Sequence, residues 1–143
     1  MAHLLSDDGA NMQNFDVVID CMGDSPRRDL PKRFTRHVTF LEVPWNYGPG
    51  RHDACAKMLR VVSDRLETEV YTRVLVFCKK GERRSAAVLA VLLSVLFDME
   101  VDAACEQITA RRPCARVTTE PEGWYPAALP EVRRVVEELR RER

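Results

Sequence analysis

Apolar positions along the chain fall into short β-branched runs separated by longer stripes at helical spacing. Asp16–Cys21 (DVVIDC), closed by Gly23, Ser25 and Pro26, reads as a strand ending in a turn. Val38–Val43 (VTFLEV) reads as a second strand, stopped by Pro44. The following stretch, 44–50, holds four breakers in seven residues and reads as a loop. Asp53 is placed to cap a helix over 54–67, with Ala54, Met58, Val61, Val62 and Leu66 on one face. Arg73–Cys78 (RVLVFC) is the strongest strand, apolar on both faces as the middle of a parallel sheet requires. After a short loop, residues 85–97 form a helix apolar on all sides. Val101–Arg111 carries a stripe of Val101, Ala104, Cys105 and Ile108 and stops before Pro113. Pro130 opens a last helix, from Glu131 to about Arg141, striped by Val132, Val135, Val136 and Leu139.

Strands that alternate with helices predict an α/β fold, a mostly parallel central sheet flanked by helices. Helix 85–97 is expected at its centre. Ligands of such sheets bind beyond the carboxyl ends of the strands. Two loops leave such ends, one after Asp20 and one after Phe77, and each begins at a cysteine.

The 143 residues suffice for one domain, 1–143, and the 45% hydrophobic and 31% charged composition is that of a globular chain. Twenty-two Lys and Arg balance 22 Asp and Glu, so bulk attraction to nucleic acid or to an anionic membrane is not expected. Local basic patches remain open, since 18 of the 22 cations are arginine. The longest uncharged run, 13 residues from Ser85 to Phe97, is too short to span a bilayer. The opening residues have neither a charged leader nor a long apolar stretch, and no signal peptide is expected. Five cysteines without regular spacing point to a reducing, cytoplasmic setting.

The chemistry concentrates in Cys78-Lys-Lys-Gly-Glu-Arg-Arg84-Ser85, which joins the strongest strand to the most apolar helix. A loop of this length can turn several backbone N–H groups inward, and the helix dipole adds to the field at its centre. Gly81 supplies the backbone freedom for the wrap. Arg84 can hold two phosphate oxygens at once, and the same positive field would favour the thiolate of Cys78. Spacing alone decides nothing: Cys21 and Cys105 also have arginines six residues on, at Arg27 and Arg111. Cys105 lies in a helical stripe, however, and Pro26 and Pro31 break the segment after Cys21. Only Cys78 has a strand before it, a glycine in its loop and a helix after Arg and Ser.

This segment resembles the phosphate-binding loop of the cysteine-based protein tyrosine phosphatases, and its surroundings resemble the small dual-specificity phosphatases. Their loop reads His-Cys-x-x-Gly-x-x-Arg-Ser, matched here by Cys78, Gly81, Arg84 and Ser85. The strand ending Val-Ile-Asp-Cys21, the stretch Phe40–Pro44 and the ending Ile108–Pro113 extend the likeness over roughly residues 15–140. The N-terminus reads as shortened, with no clear counterpart of the family's first strands. The resemblance implies a protein tyrosine phosphatase-like fold and hydrolysis of phosphate esters on phosphotyrosine, phosphoserine or phosphothreonine of a protein substrate. Cys78 would be the nucleophile, Arg84 would bind phosphate, and Ser85 would donate to the thiolate. Lys79, Lys80, Gly81, Glu82 and Arg83 would complete the phosphate-binding loop, and no metal or cofactor is implied. Some members of the family trap the nucleophile as a disulfide with a cysteine at the neighbouring strand end, the place of Cys21. His3, His37 and His52 are scattered and read as structural or surface residues.

Two positions depart from the family. Phe77 stands where the nucleophile is usually preceded by His. The general acid is usually an Asp in the loop after the second strand. Here Val43-Pro-Trp-Asn-Tyr47-Gly contains no carboxylate, and Asn46 or Tyr47 holds the place. Asp53 and Glu82 are the remaining acid candidates. General acid catalysis is worth about 10²–10⁴-fold, so three functions stay open. One is a protein phosphatase, the second a phosphate- or phosphoprotein-binding pseudophosphatase, and the third a phosphatase for phosphoinositides or RNA 5′-phosphates. The cationic Lys79, Lys80 and Arg83 read equally as a solvated face or as selection for acidic or multiply phosphorylated substrates.

Overall fold

The structure, a computed structural model, describes residues 2–5, 15–21, 39–43, 45, 51–68, 73–78, 82–121 and 127–142. Among the described residues there are four strands, β1 (Ala2–Leu5), β2 (Val17–Asp20), β3 (Thr39–Glu42) and β4 (Val74–Phe77). They form one parallel sheet in the order β1-β4-β2-β3. Val17, Val18, Ile19, Leu75, Val76 and Phe77 have no exposed surface, as expected of the two central strands of a sheet covered on both faces. The mostly parallel sheet read from the sequence is therefore wholly parallel among the described residues.

The strand β1 corrects one expectation. The N-terminus is not without a first strand, because Ala2–Leu5 pairs with β4 in the register Ala2↔Val74 to Leu5↔Phe77. Four residues without a β-branched side chain carry little strand signal of their own. Pairing with β4 is what makes them a strand.

Helix α1 (Arg51–Thr68) begins before Asp53, so Asp53 is the third residue of the helix rather than its cap. An acid there still lies in the first turn, where the helix dipole favours it. The buried face of α1 is Cys55, Ala56, Leu59 and Val62, with Met58 and Leu66 partly covered. Val61, expected inward, is 65% exposed. Val62 and Ser63 take the buried positions beside it, and a step of 100° turns Val61 away from them.

Helix α2 (Arg84–Leu96) is the central one. It packs against α1, against α3 (Val101–Arg111), against α4 (Leu129–Arg141), and against β4 and β1. Ten of its 13 residues are buried, including Ser85 and Ser94. Phe97, expected to close this helix, lies just past it and is exposed. Asp98 follows in the left-handed region at φ 51°, the conformation that commonly ends a helix. From α4, the Arg140 guanidinium donates to the Ser94 and Met99 carbonyls at 3.2 and 2.8 Å. The carboxyl end of α2 is thus tied from outside, which fixes the axis whose other end meets the Cys78 loop. Helix α3 has the bounds read from its stripe, and Val101, Ala104 and Ile108 are buried as that stripe requires.

Candidate active site

Cys78 is the first residue past β4, and β4 runs straight into the centre of the sheet edge where ligands of parallel sheets bind. Six residues later Arg84 begins α2, followed by Ser85 with no exposed surface. The Cys78 Sγ and Ser85 Oγ atoms lie 3.2 Å apart, a buried contact in which either can donate. Strand end and helix start thereby meet through these two side chains. Cys78 itself is only 3% exposed.

At the start of α2 the cap residue, Arg83, makes no side-chain capping bond, and the first turn contains no acid. The amino-terminal N–H groups of a helix carry a partial positive charge that other helices commonly meet with Ser, Asp or Glu. Here arginines stand on the same end instead. Arg83 and Arg84 are half-buried, and Arg83 pairs with the Glu82 carboxylate at 3.6 Å. Glu82 is also held through its backbone, its carbonyl accepting a 2.5 Å hydrogen bond from the Arg116 N–H. This anchor between the loop and the segment after α3 joins residues too far apart in sequence for any local pattern to announce it.

Beside Cys78 lies the end of β2. Cys21 N–H donates to the Phe77 carbonyl at 2.9 Å, and Asp20 pairs in register with Phe77. Asp20 is buried, a carboxylate at the strand end that the sequence reading did not single out. Burial pushes the Cys21 thiol well up. The nearby Cys78, Asp20 and Cys55 push it further, while Arg84 opposes them. Burial, reinforced by Glu131, likewise pushes the Cys55 thiol up to about 12. Three buried thiols therefore share one neighbourhood, and no disulfide joins any of the five cysteines.

Lys79, Lys80 and Gly81 lie outside the described residues, as do Asn46, Tyr47, His37, Trp124 and Tyr125. Of Asp53, His3 and His52 only the backbone position is described. Trp45, next to the expected acid position in sequence, is buried in the core. Among the described residues no group of three His, Cys, Asp or Glu could hold a metal ion, and no helix is long and apolar enough to cross a membrane.

No protein-family profile and no curated protein sequence matches the chain. Solved structures do. Human DUSP28 superimposes with a TM-score of 0.70 at 17% identity, over 99% of this chain and 95% of that one. DUSP15 gives 0.63 at 20% identity, over 99% and 88%. PTPMT1 in complex with PI(5)P gives 0.62 at 18%, over 90% and 81%. The chain shares the α/β fold of these solved structures.

Proposed function

We propose that the protein is a phosphatase that hydrolyses phosphate monoesters through a phosphocysteine at Cys78. The observation that carries the reading is the buried 3.2 Å contact between Cys78 Sγ and Ser85 Oγ, at a strand end facing an uncapped helix start. In the first step the Cys78 sulfur attacks phosphorus and the bond to the leaving oxygen breaks. Arg84 and the loop amides hold the non-bridging oxygens as charge builds on them. In the second step water attacks phosphorus and the Cys78 thiolate departs, with Ser85 donating to it. Cysteine supplies the nucleophile because its thiolate is accessible near neutral pH.

Phosphotyrosine, phosphoserine or phosphothreonine of a protein is the favoured substrate. The zero net charge gives the chain no overall field toward anionic membranes or nucleic acid. PTPMT1 was solved with PI(5)P, which keeps phosphoinositides as the alternative substrate class. We read the protein as cytoplasmic, on five cysteines without a disulfide. A second reading, a phosphate-binding module without turnover, draws on Phe77 before the nucleophile and on the missing carboxylate between Val43 and Gly48.

One assay separates the two. An activated aryl phosphate needs little help from a general acid, so the protein should hydrolyse it without added metal, and Cys78→Ser should abolish the activity. A wild-type rate equal to that of the variant would leave the binding module.

A further inference from the structure

We propose that Asp20, the buried carboxylate at the end of β2, is a positioning residue whose negative charge restrains both the ionisation of Cys78 and the binding of phosphate beside it. The inference rests on the phosphatase reading for the role of Cys78 and names a group that tunes the same site. Asp20 is held from both sides. Its carbonyl accepts a 2.8 Å hydrogen bond from the Val43 N–H, and the next residue, Cys21, donates to the Phe77 carbonyl at 2.9 Å. The register pairs Asp20 with Phe77 on one side and with Glu42 on the other. A strand spacing of about 4.8 Å and a rise of about 3.3 Å together put its Cα about 6 Å from that of Cys78. Paired residues of neighbouring parallel strands share a face of the sheet, so Asp20 lies on the Phe77 face. It acts on Cys78 through its field rather than by contact.

Burial gives that charge its weight, because charges in a protein interior interact several times more strongly than in water. Asp20 is only 7% exposed, whereas Glu42, its neighbour in the same row, is exposed. Asp20 is not a free charge, but the sign of its effect is the same for either kind of partner. Engaged with a cation, it cancels part of the field that a thiolate or a phosphate would use. Engaged with a neutral donor, it keeps its full charge. Its influence is already felt at the neighbouring thiol. Burial first, then Cys78, Asp20 and Cys55, push the Cys21 thiol up, and Arg84 opposes them. Asp20 and Arg84 thus reach the same strand end with opposite signs. The other groups around Cys78 are Cys21 from β2, Arg84 and Ser85 from α2, and the Glu82–Arg83 pair. Cys55 from α1, faced by Glu131 of α4, stands near Cys21, and Arg116 after α3 is tied to Glu82. From β1 the partner of Phe77 is the uncharged Leu5, and Lys79 and Lys80 follow Cys78 in sequence. All of these are common to the wild type and an Asp20 variant, so a difference between the two reads Asp20.

The test is a pH titration of the full chain, following the ultraviolet absorbance of the thiolate in each protein against that of its Cys78→Ser counterpart. Asp20→Asn keeps the shape and removes the charge, and should move the Cys78 midpoint down by about one pH unit. The acid limb of kcat/KM for an activated aryl phosphate should move with it. Inorganic phosphate should bind the variant about tenfold more tightly. Asp20→Glu, which keeps the charge, should stay near the wild-type midpoint, and Glu42→Gln should leave it in place. Asp20→Ser, also uncharged, is read in the same way and covers a failure of Asp20→Asn to fold. A wild-type midpoint and phosphate affinity in the uncharged variants overturns the proposal, whatever their urea midpoints show. An equal shift in Glu42→Gln overturns it too, since any carboxylate of the row would then serve. Failure of the phosphatase reading is separable, because it shows as no turnover of the aryl phosphate. The thiolate titration and phosphate binding still decide the role of Asp20.

Discussion

The Cys21 N–H donates a 2.9 Å hydrogen bond to the Phe77 carbonyl, fastening the end of β2 to β4 one residue short of Cys78. Continuing the register Asp20↔Phe77 sets Cys21 beside Cys78. Parallel neighbours lie about 4.8 Å apart, within the roughly 4.4–6.8 Å between Cα atoms that a disulfide spans. Peroxide should oxidise the Cys78 thiolate to a sulfenic acid with release of hydroxide. The Cys21 sulfur then attacks the Cys78 sulfur, the S–S bond forms, the S–OH bond breaks, and water leaves with the Cys21 proton. Because burial holds Cys21 protonated, this second step should quicken as pH rises. Mild peroxide should therefore inactivate the protein until a thiol reductant is added, and Cys21→Ser should make the loss irreversible. Peptide mapping that finds only sulfinic or sulfonic Cys78, with Cys21 unmodified, would sink the idea.

Ser85 offers a separate handle on the second chemical step. Its hydroxyl is buried against the Cys78 sulfur, so the bond it makes to a departing thiolate is charge-assisted and shielded from water. Losing such a bond costs about 1.5–3 kcal/mol, or roughly 10–150-fold in rate. Ser85→Ala should slow breakdown of the phosphocysteine more than its formation. Rapid-quench experiments with an activated aryl phosphate should then show a burst of leaving group and trapped phosphoenzyme. A slower first turnover without a burst would assign Ser85 to formation instead.

Elements with their own periodicity were legible in the sequence, and contacts between distant segments were not. Helix α3 runs from Val101 to Arg111 as read, because a clean stripe precedes a proline that stops it. The strand before Cys78 and the helix that begins at Arg84 were legible because each is a continuous apolar run. Strand β1 was missed because Ala2–Leu5 owes its form to β4. The placement of Val61 failed since adjacent valines carry the same apolar signal, and the packing of α1 chooses between them. Asp20 and Arg116 had no local mark at all. One matters through a strand register and the other through a single hydrogen bond to a segment more than thirty residues away.

The empty acid position yields a gain-of-function prediction. Trp45, the residue before this position, is buried. Tyr47→Asp or Asn46→Asp should raise turnover of phosphotyrosine-like substrates, within the 10²–10⁴-fold range of general acid catalysis. Activated aryl phosphates should gain far less, because their leaving groups need no proton. The check is the slope of log kcat against leaving-group pKa, which should flatten in the variant. Should both substitutions leave the slope unchanged while Glu82→Gln or Asp53→Asn removes activity, the acid lies at Glu82 or Asp53.

The buried thiols also set how stability responds to alkali. Cys55 is held up to about 12 and Cys21 well above its ordinary value, whereas both ionise near 8.5 in an unfolded chain. Below that pH both states keep the protons and stability is unaffected. Above it the native state binds more protons than the unfolded one, so stability falls as pH rises, by at most about 1.4 kcal/mol per pH unit for each group. Urea midpoints measured from pH 8 to pH 10.5 should therefore drop. Cys55→Ala is expected to be less stable at pH 8, since it leaves a gap behind α1, yet its midpoint should decline less steeply. Parallel pH profiles for the wild type and Cys55→Ala would mean that Cys55 ionises in the native state as readily as in the unfolded one.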